Sequence, residues 1–260
     1  MLFMKYIDIH CHLNFEAFDI DRDEVIARAK EKEVGMIVVG TNLATSEKAI
    51  KIAEENENIW AIVGLHPVEV PCEVFDIESY RKLTQSKKVV GIGECGFDYF
   101  RQGYELRDKQ REIFEAQIAL ANEVKKPLML HLRNGLNPGE NAYKDALDVL
   151  KQHAKVHGDA HFFAGNWEEG KQFLDLGFRL SFTGVITFAR DYDEVIRNTP
   201  LNMIMSETDA PYVTPTPHRG ERNEPSFVTE VAHTIATVKG ESREKTLSHL
   251  IDNAQKLFSI

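Results

Sequence analysis

The sequence predicts an α/β fold in which eight parallel strands alternate with helices and close into a (β/α)₈ TIM barrel. Short apolar runs that are typical of buried strands alternate with amphipathic helical segments along the whole chain. Several of these runs end on a histidine or an acid, and a closed barrel brings all its strand ends into one ring. A doubly wound open sheet explains the alternation equally well, but it offers a crevice at one switch point rather than a ring.

The strands are predicted from apolar and β-branched runs bounded by turn residues. They cover residues 6–10, 36–40, 59–64, 89–93, 127–130, 160–163, 178–182 and 204–206. Helices are predicted from helical spacing of apolar residues, at 21–32, 46–56, 76–83, 106–125, 142–154, 168–176, 192–197, 225–238 and 243–256. Gly177 is expected to cap the sixth helix in a left-handed conformation. Gln117 is a polar exception on the apolar side of the long fourth helix.

Composition narrows the class of protein. The chain has 260 residues, 43% of them apolar, and residues 1–260 are expected to form one domain. A formal net charge of −10 argues against a broad nucleic-acid-binding surface. It leaves room for a nucleic-acid enzyme whose cleft holds cations. No signal peptide or membrane span is predicted, and no obligate protein partner is evident.

Three cysteines, Cys11, Cys72 and Cys95, occur without a CxxC pair. They fit reduced thiols in a cytoplasmic protein better than a disulfide framework. Cys11 and Cys95 lie beside candidate metal ligands, so either is a possible soft ligand. Burial as a small apolar side chain is the more common state of a free cysteine, and we expect it here.

A metal site is predicted where the strands end. His10 and His12 are two residues apart, and alternate side chains of a strand share a face, so the pair can bind one cation. Four further candidate ligands follow later strands: Glu94, His131, His161 and Asp209. Glu94 has two carboxylate oxygens and can bridge two cations. Two bridged ions about 3.5–4 Å apart form a common hydrolytic centre.

The candidate ligands divide into two groups around the bridging acid. One ion is expected to take His10, His12 and Asp209. The other is expected to take His131 and His161. His66 also falls near a strand end, which makes five histidines at such positions.

Eight short motifs follow one another along the chain. They lie at residues 8–12, 64–67, 91–99, 131–133, 161–165, 181–184, 207–212 and 219–225. In this order they resemble the TatD family of metal-dependent deoxyribonucleases, within the amidohydrolase-like barrels. The resemblance covers essentially the whole chain. It implies a hydrolase that cleaves phosphodiester bonds, with DNA as substrate.

The resemblance assigns roles to individual residues. It implies divalent metal bound by His10, His12, Glu94, His131, His161 and Asp209. Asp209 is expected to accept the proton of the attacking water. His66 is expected to contact the substrate or to protonate the leaving oxygen. The identity of the ions stays open, because imidazole favours zinc, nickel, manganese or cobalt, whereas the family implies magnesium, which prefers oxygen ligands.

Four further residues are placed near the same mouth. Arg133 is expected to bind a phosphate oxygen with its planar guanidinium. Glu207 is grouped with it as a substrate-site residue that orients a ligand or a water. Arg219 and Arg222 either hold phosphates or pair with the neighbouring acids of their own loop, at 221 and 224.

Two segments depart from the family pattern. Residues 133–140 form a longer, Gly/Pro-rich link, and Phe162 and Ala164 stand where the family commonly has cysteine and serine. Both segments lie beside the expected metals and therefore bear on substrate preference. One alternative is a hydrolase of amides, lactones or esters, because a two-metal centre also polarises a carbonyl. Another is a non-catalytic metal-binding scaffold.

Overall fold

The computed structural model describes residues 4–260; the first three residues of the predicted domain lie outside it. The described residues form eight parallel strands, each hydrogen-bonded to the next in chain order. The strands are β1 (Tyr6–Cys11), β2 (Val34–Val39), β3 (Ile59–Val63), β4 (Val89–Asp98), β5 (Leu128–Arg133), β6 (Gly158–Ala160), β7 (Arg179–Phe182) and β8 (Ile204–Ser206).

Helices alternate with these strands, as predicted. They are α1 (Arg22–Glu31), α2 (Leu43–Glu54), α3 (Ile77–Leu83), α4 (Arg107–Val124), α5 (Ala142–His153), α6 (Trp167–Asp175), α7 (Asp193–Asn198), α8 (Val228–Lys239) and α9 (Arg243–Phe258). Gly177 has φ +80° after α6, which confirms the predicted left-handed cap. Within residues 4–260, none of the helices combines the length and apolar character that a bilayer crossing requires.

The sheet closes on itself between its first and last strands. The Asp209 N–H donates to the His10 carbonyl (2.9 Å), and the His12 N–H donates to the Ala210 carbonyl (2.8 Å). A parallel bridge joins Cys11 to Ala210. The predicted barrel is confirmed. Its seam is made by the segment that carries Asp209, which brings this acid beside the two histidines of β1.

The strands bury both faces. Met36 and Val38 of β2 belong to the large core that packs against the helices. The alternate residues Ile37 and Val39 belong to a second cluster, which gathers side chains from β1, β3, β4, β5 and β8 and includes Phe258 of α9. A strand with apolar residues on both faces is typical of a parallel sheet covered on each side.

Strand β4 is longer than predicted. It continues to Asp98, five residues beyond the predicted end at residue 93. Its glycines allow a close approach to β5. A Cβ on Gly93 would lie 2.4 Å from the Met129 carbonyl oxygen, and one on Gly96 would lie 2.4 Å from that of His131. Glu94 is therefore held within a paired strand rather than in a loop.

Strand β6 is shifted toward the N-terminus. It covers Gly158–Ala160, whereas residues 160–163 were predicted. The backbone of Phe162 has φ +45°, which interrupts the extended conformation. The apolar run alone did not reveal this turn. His161 consequently lies one residue beyond the strand, at its carboxyl end.

The contacts of Gln117 explain why a polar residue lies on the apolar side of α4. Its side-chain amide accepts from the Leu65 N–H (2.9 Å) and donates to the Leu65 carbonyl (2.9 Å). The amide thus ties α4 to the segment that carries His66. Gln117→Leu leaves two buried backbone groups without partners, and we expect a loss of roughly 2–6 kcal/mol in the free energy of unfolding.

Urea unfolding measures this loss, and Gln172→Leu on the exposed face of α6 is the matched control. The control is expected to change stability by less than about 0.5 kcal/mol. Equal stability of Gln117→Leu and the control would contradict the assigned contact.

Candidate metal centre

The six predicted ligands meet at the carboxyl ends of the strands, where barrel enzymes place their sites. Glu94 lies at their middle, and its side chain is almost fully buried. Its Oε2 is 3.3 Å from His10 Nε2 and 3.7 Å from His12 Nε2. Its Oε1 is 2.6 Å from His131 Nδ1 and 3.2 Å from His161 Nε2. The two carboxylate oxygens therefore face two different pairs of histidines.

Asp209 completes the group on the β1 side. Its Oδ1 is 3.5 Å from His12 Nε2 and 3.8 Å from His10 Nε2. Burial raises the pKa of the Asp209 carboxyl, but the neighbouring imidazoles of His12, His161 and His10 outweigh burial and lower it. The carboxylate is therefore ionised at neutral pH.

In three of the histidines, the outer ring nitrogen, which faces away from Glu94, donates a hydrogen bond. His12 Nδ1 donates to the Val39 carbonyl (3.0 Å). His161 Nδ1 donates to Glu207 (3.0 Å), and His131 Nε2 donates to Asp98 (3.0 Å). Because the outer nitrogen is the donor, the inner nitrogen is the one that can give its lone pair to a metal ion. This is the tautomer that a metal-binding histidine requires.

His10 fits the same arrangement. Its Nε2 faces Glu94, and its buried Nδ1 has no hydrogen-bond partner among the described residues. The nearest acceptor recorded for that nitrogen is Glu207 Oε2, at 3.9 Å. Four inward ring nitrogens and two ionised carboxylates form a donor set that suits divalent metal. Three-ligand groups such as His10, His12 and Glu94 lie close enough to share one ion.

His66 differs from the other four histidines. Its Nδ1 accepts the Val68 N–H (3.0 Å), so the ring proton sits on Nε2. That nitrogen lies 3.3 Å from Glu94 Oε1. Burial, with the neighbouring imidazole of His131, lowers the pKa of His66 to about 4. Although His66 groups with Glu94 and His131 by distance, this tautomer makes it a neutral hydrogen-bond donor rather than a ligand.

The carboxylates and imidazoles of the centre shift one another's pKa values. Burial alone raises the pKa of the Glu94 carboxyl, but the facing imidazoles of His66, His161 and His10 hold it well below its usual value. Burial lowers the pKa of His161, but the carboxylates of Glu207 and Glu94 outweigh burial and raise it well above the usual value. Cations are thus favoured between these carboxylates.

Glu207 was grouped with Arg133 as a substrate-site residue, but it does not line the cavity. The side chain is fully buried behind His161, and its two oxygens accept from His161 Nδ1 and the Phe162 N–H (2.6 Å). A buried carboxylate with both oxygens engaged cannot bind substrate, so its grouping with the substrate-binding residues is corrected. The position supports the orientation of a ligand.

Sequence reasoning missed two acids. Asp98 is buried beside His131, as described above. Asp8 accepts from the backbone N–H (2.8 Å) and the hydroxyl (2.5 Å) of Thr208, which fixes the segment leading to Asp209. The available signal was an acid inside an apolar run, since a buried charge needs a partner.

Glu207→Gln and Asp98→Asn each replace the acceptor that orients a predicted ligand histidine. We expect each variant to lower metal affinity or activity by about 10–100-fold. Metal titration followed by kcat measurement on the reconstituted variants checks this. Glu241→Gln, in an exposed i,i+4 pair with Lys245, is the control and should match the unsubstituted protein. Wild-type affinity and kcat in Glu207→Gln would contradict the orienting role.

The metal centre opens into a cavity of about 750 Å³. Arg101 and Arg133 line it together with the aromatic residues Phe15, Phe162, Tyr192 and Tyr212. The Arg133 guanidinium lies 4.0 Å above the ring of Phe100, which holds its plane at the rim. Arg133 is therefore placed to meet a ligand.

The closing loop uses its arginines differently. Arg222 pairs with Asp21 (2.6 Å), and Glu224 pairs with Arg28 (2.7 Å). Arg219 donates to a backbone carbonyl of its own loop. Neither predicted pairing, with Glu221 or with Glu224, occurs among the described residues.

The two cysteines beside the ligands face away from the centre. Cys11 and Cys95 are fully buried in the core that packs against the helices. Their thiols donate to the carbonyls of Ile37 and Met129, at 3.5 Å each. Burial raises the pKa of both thiols. The interpretation as small apolar side chains is confirmed.

Fold and site together define a class of protein: a barrel hydrolase that works with divalent metal. The family model for TatD related DNase matches residues 7–259. The chain therefore belongs to the TatD family and is a metal-dependent hydrolase. This confirms the predicted enzyme class and sets aside the non-catalytic scaffold.

Relatives match over almost their whole length. The chain is 39% identical to the uncharacterized metal-dependent hydrolase YabD of Bacillus subtilis (strain 168), over 97% of this chain and 98% of that one. It is 34% identical to the 3′-5′ ssDNA/RNA exonuclease TatD of Pantoea ananatis, over 97% and 99%. The crystal structure of YJJV, a TatD homolog from Escherichia coli K12, superposes with a TM-score of 0.90 and 26% identity over 100% of both chains.

Proposed function

We propose that this protein is a nuclease that hydrolyses phosphodiester bonds of single-stranded DNA in the cytoplasm, with residues 1–260 as one catalytic unit. The observation that carries the proposal is the division of the Glu94 carboxylate between two groups of histidines. Two cations bridged by one carboxylate suit the in-line displacement at phosphorus. The naming of a relative as a 3′-5′ ssDNA/RNA exonuclease supports the substrate class.

The two ligand groups would accommodate two ions. His10, His12 and Asp209 would hold one ion on the Oε2 side of Glu94. His131 and His161 would hold the other on the Oε1 side. When bound, the ions lower the pKa of a water and stabilise negative charge on phosphoryl oxygens. The donor set admits magnesium, zinc, manganese, nickel or cobalt.

Asp209 accepts the proton of the attacking water. It is ionised, it lines the cavity, and its side chain keeps 13% of its surface exposed. The contacts with His10 and His12 are made by its Oδ1. A carboxylate that is both held in place and open to the cavity can take up a proton within hydrogen-bond reach.

His66 supplies a hydrogen bond from the opposite side. Its protonated Nε2 points toward the centre because Val68 occupies Nδ1. With a pKa of about 4, the ring is neutral at pH 7. It therefore donates a hydrogen bond to a phosphoryl or leaving oxygen. Because the ring is neutral, it does not repel the cations that would bind nearby.

Arg133 binds a phosphate of the strand. The guanidinium is exposed at the rim and stacked on Phe100, so its donors are oriented before substrate arrives. With Arg101 it places positive charge beside the cavity of a chain whose net charge is −10. This local charge favours a polyanion over the neutral amide, lactone or ester of the alternative proposal.

The test uses one metal-free preparation reconstituted separately with each of the five metals. Single- and double-stranded oligonucleotides labelled at either end, and a panel of lactones and cyclic amides, are incubated with it. We expect single-stranded DNA to be degraded from its 3′ end, and a chelator to stop the reaction without unfolding the protein. Turnover of the small substrates alone would overturn the nuclease proposal.

A further inference from the structure

Phe162 holds an aromatic ring at the mouth in a conformation that phenylalanine rarely adopts. Its φ is +45°, in the left-handed region that is costly for a residue with a Cβ. The residues on either side are fixed to the barrel. The His161 N–H donates to the Leu130 carbonyl (3.1 Å), and the Phe163 N–H donates to the Ser181 carbonyl (3.0 Å). The chain turns between these anchors, and the Phe162 ring lines the cavity.

One carboxylate fixes this turn and the metal centre together. Glu207 accepts from the Phe162 N–H through Oε1 (2.6 Å) and from His161 through Oε2 (3.0 Å). The ring of Phe162 stands perpendicular to that of His161, with centroids 6.1 Å apart. A strained residue that its surroundings hold so firmly points to function.

Two phenylalanines that line the cavity, Phe162 and Phe15, differ in how their ring faces are covered. Phe15 stacks flat on His12, with centroids 4.4 Å apart and planes at 7°, so one of its faces is covered. Phe162 meets His161 at 84°, which leaves no parallel stack between the two rings. The side chain is half-buried, so part of its ring is open to the cavity.

We propose that Phe162 is a specificity-determining residue that stacks on an unpaired base next to the scissile phosphate. This inference rests on the proposed nuclease function. A base inside a duplex is covered on both faces by its neighbours, whereas an unpaired base can stack on an aromatic side chain.

The experiment compares two single-stranded oligonucleotides. They differ only in whether the nucleotides flanking the scissile bond carry bases or are tetrahydrofuran abasic analogues. Stacking on one base corresponds to about tenfold or more in kcat/KM, so the wild-type protein should prefer the base-containing strand by that factor. Phe162→Leu should lose most of this preference through slower cleavage of the base-containing strand, with the abasic strand unchanged. Phe162→Tyr should keep the preference.

Two further variants separate stacking from folding. Phe162→Gly relieves the left-handed strain, so it should melt no lower than the wild type and still lose the preference. Phe188→Leu removes an exposed phenylalanine that lies under Arg219, outside the cavity lining of the described residues. It should behave as the wild type.

Two results overturn the inference in distinguishable ways. Phe162→Leu with the full wild-type preference, in a protein that cleaves DNA, removes the stacking role and leaves the nuclease proposal intact. A wild-type protein that cleaves neither strand with any of the five metals removes the nuclease proposal, and the stacking role with it.

Discussion

Replacing Asp209 with asparagine is expected to lower kcat on single-stranded DNA by about 10²–10⁴-fold, the range for loss of a positioned general base. Asparagine keeps an oxygen that can face His12 and His10, where the Asp209 Oδ1 now lies at 3.5 and 3.8 Å. It cannot accept a proton at neutral pH. Much of the metal should therefore stay bound while the chemical step slows.

Metal content and kcat must be measured on the same Asp209→Asn sample. Two retained ions with low kcat support the proton-accepting role. Complete loss of metal would reduce Asp209 to a ligand, and near-wild-type activity would remove both roles. Asp191→Asn is the matched control, because Asp191 is exposed and lies outside the cavity lining of the described residues. Its kcat should match the wild type.

Glu94→Gln is expected to lower activity at least as much as Asp209→Asn does, but for a different reason. Gln keeps the shape of the side chain but turns one carboxylate oxygen into an NH₂ group. The NH₂ group would face the ring nitrogens that would otherwise bind metal. These belong to His10 and His12 on one side or to His131 and His161 on the other. The bridge between the two ligand groups is lost with the charge. We expect bound metal to fall from two ions per chain to one or none, and activity to vanish with it.

Elemental analysis after equilibrium dialysis gives the metal count for Glu94→Gln. Glu69→Gln removes a carboxylate that lines the same cavity but lies outside the ligand groups found among the described residues. It should keep two ions and wild-type activity. Two tightly bound ions in Glu94→Gln would show that the acid does not bridge them, and would overturn the role given to Glu94.

The order of strands and helices and the candidate ligand residues could be predicted from the sequence. Apolar runs such as Val34–Val39 repeat at intervals set by the helices between them, and that periodicity needs no tertiary information. The positions of His10 and His12 follow from strand geometry alone. Their identity as metal-binding residues remains a proposal, but their convergence at one mouth is what the alternation of strands and helices predicted.

Strand ends next to the site were harder to predict. Glu94 was predicted to follow a strand that ends at residue 93. In the structure Gly93 and Gly96 let β4 run close to β5, and the strand continues past Glu94. The interruption at Phe162 has no signal in an apolar sequence, since hydrogen bonds from distant residues hold the left-handed turn in place.

The chain by itself determined the barrel, the ring of polar residues at its strand ends and the family resemblance, because all three depend on residue type and spacing. Only the tertiary structure decided which nitrogen of each histidine faces the centre. That choice depends on partners remote in sequence: Val39 for His12, Asp98 for His131 and Glu207 for His161. A proton occupies the nitrogen that finds an acceptor, and no local pattern records where that acceptor lies.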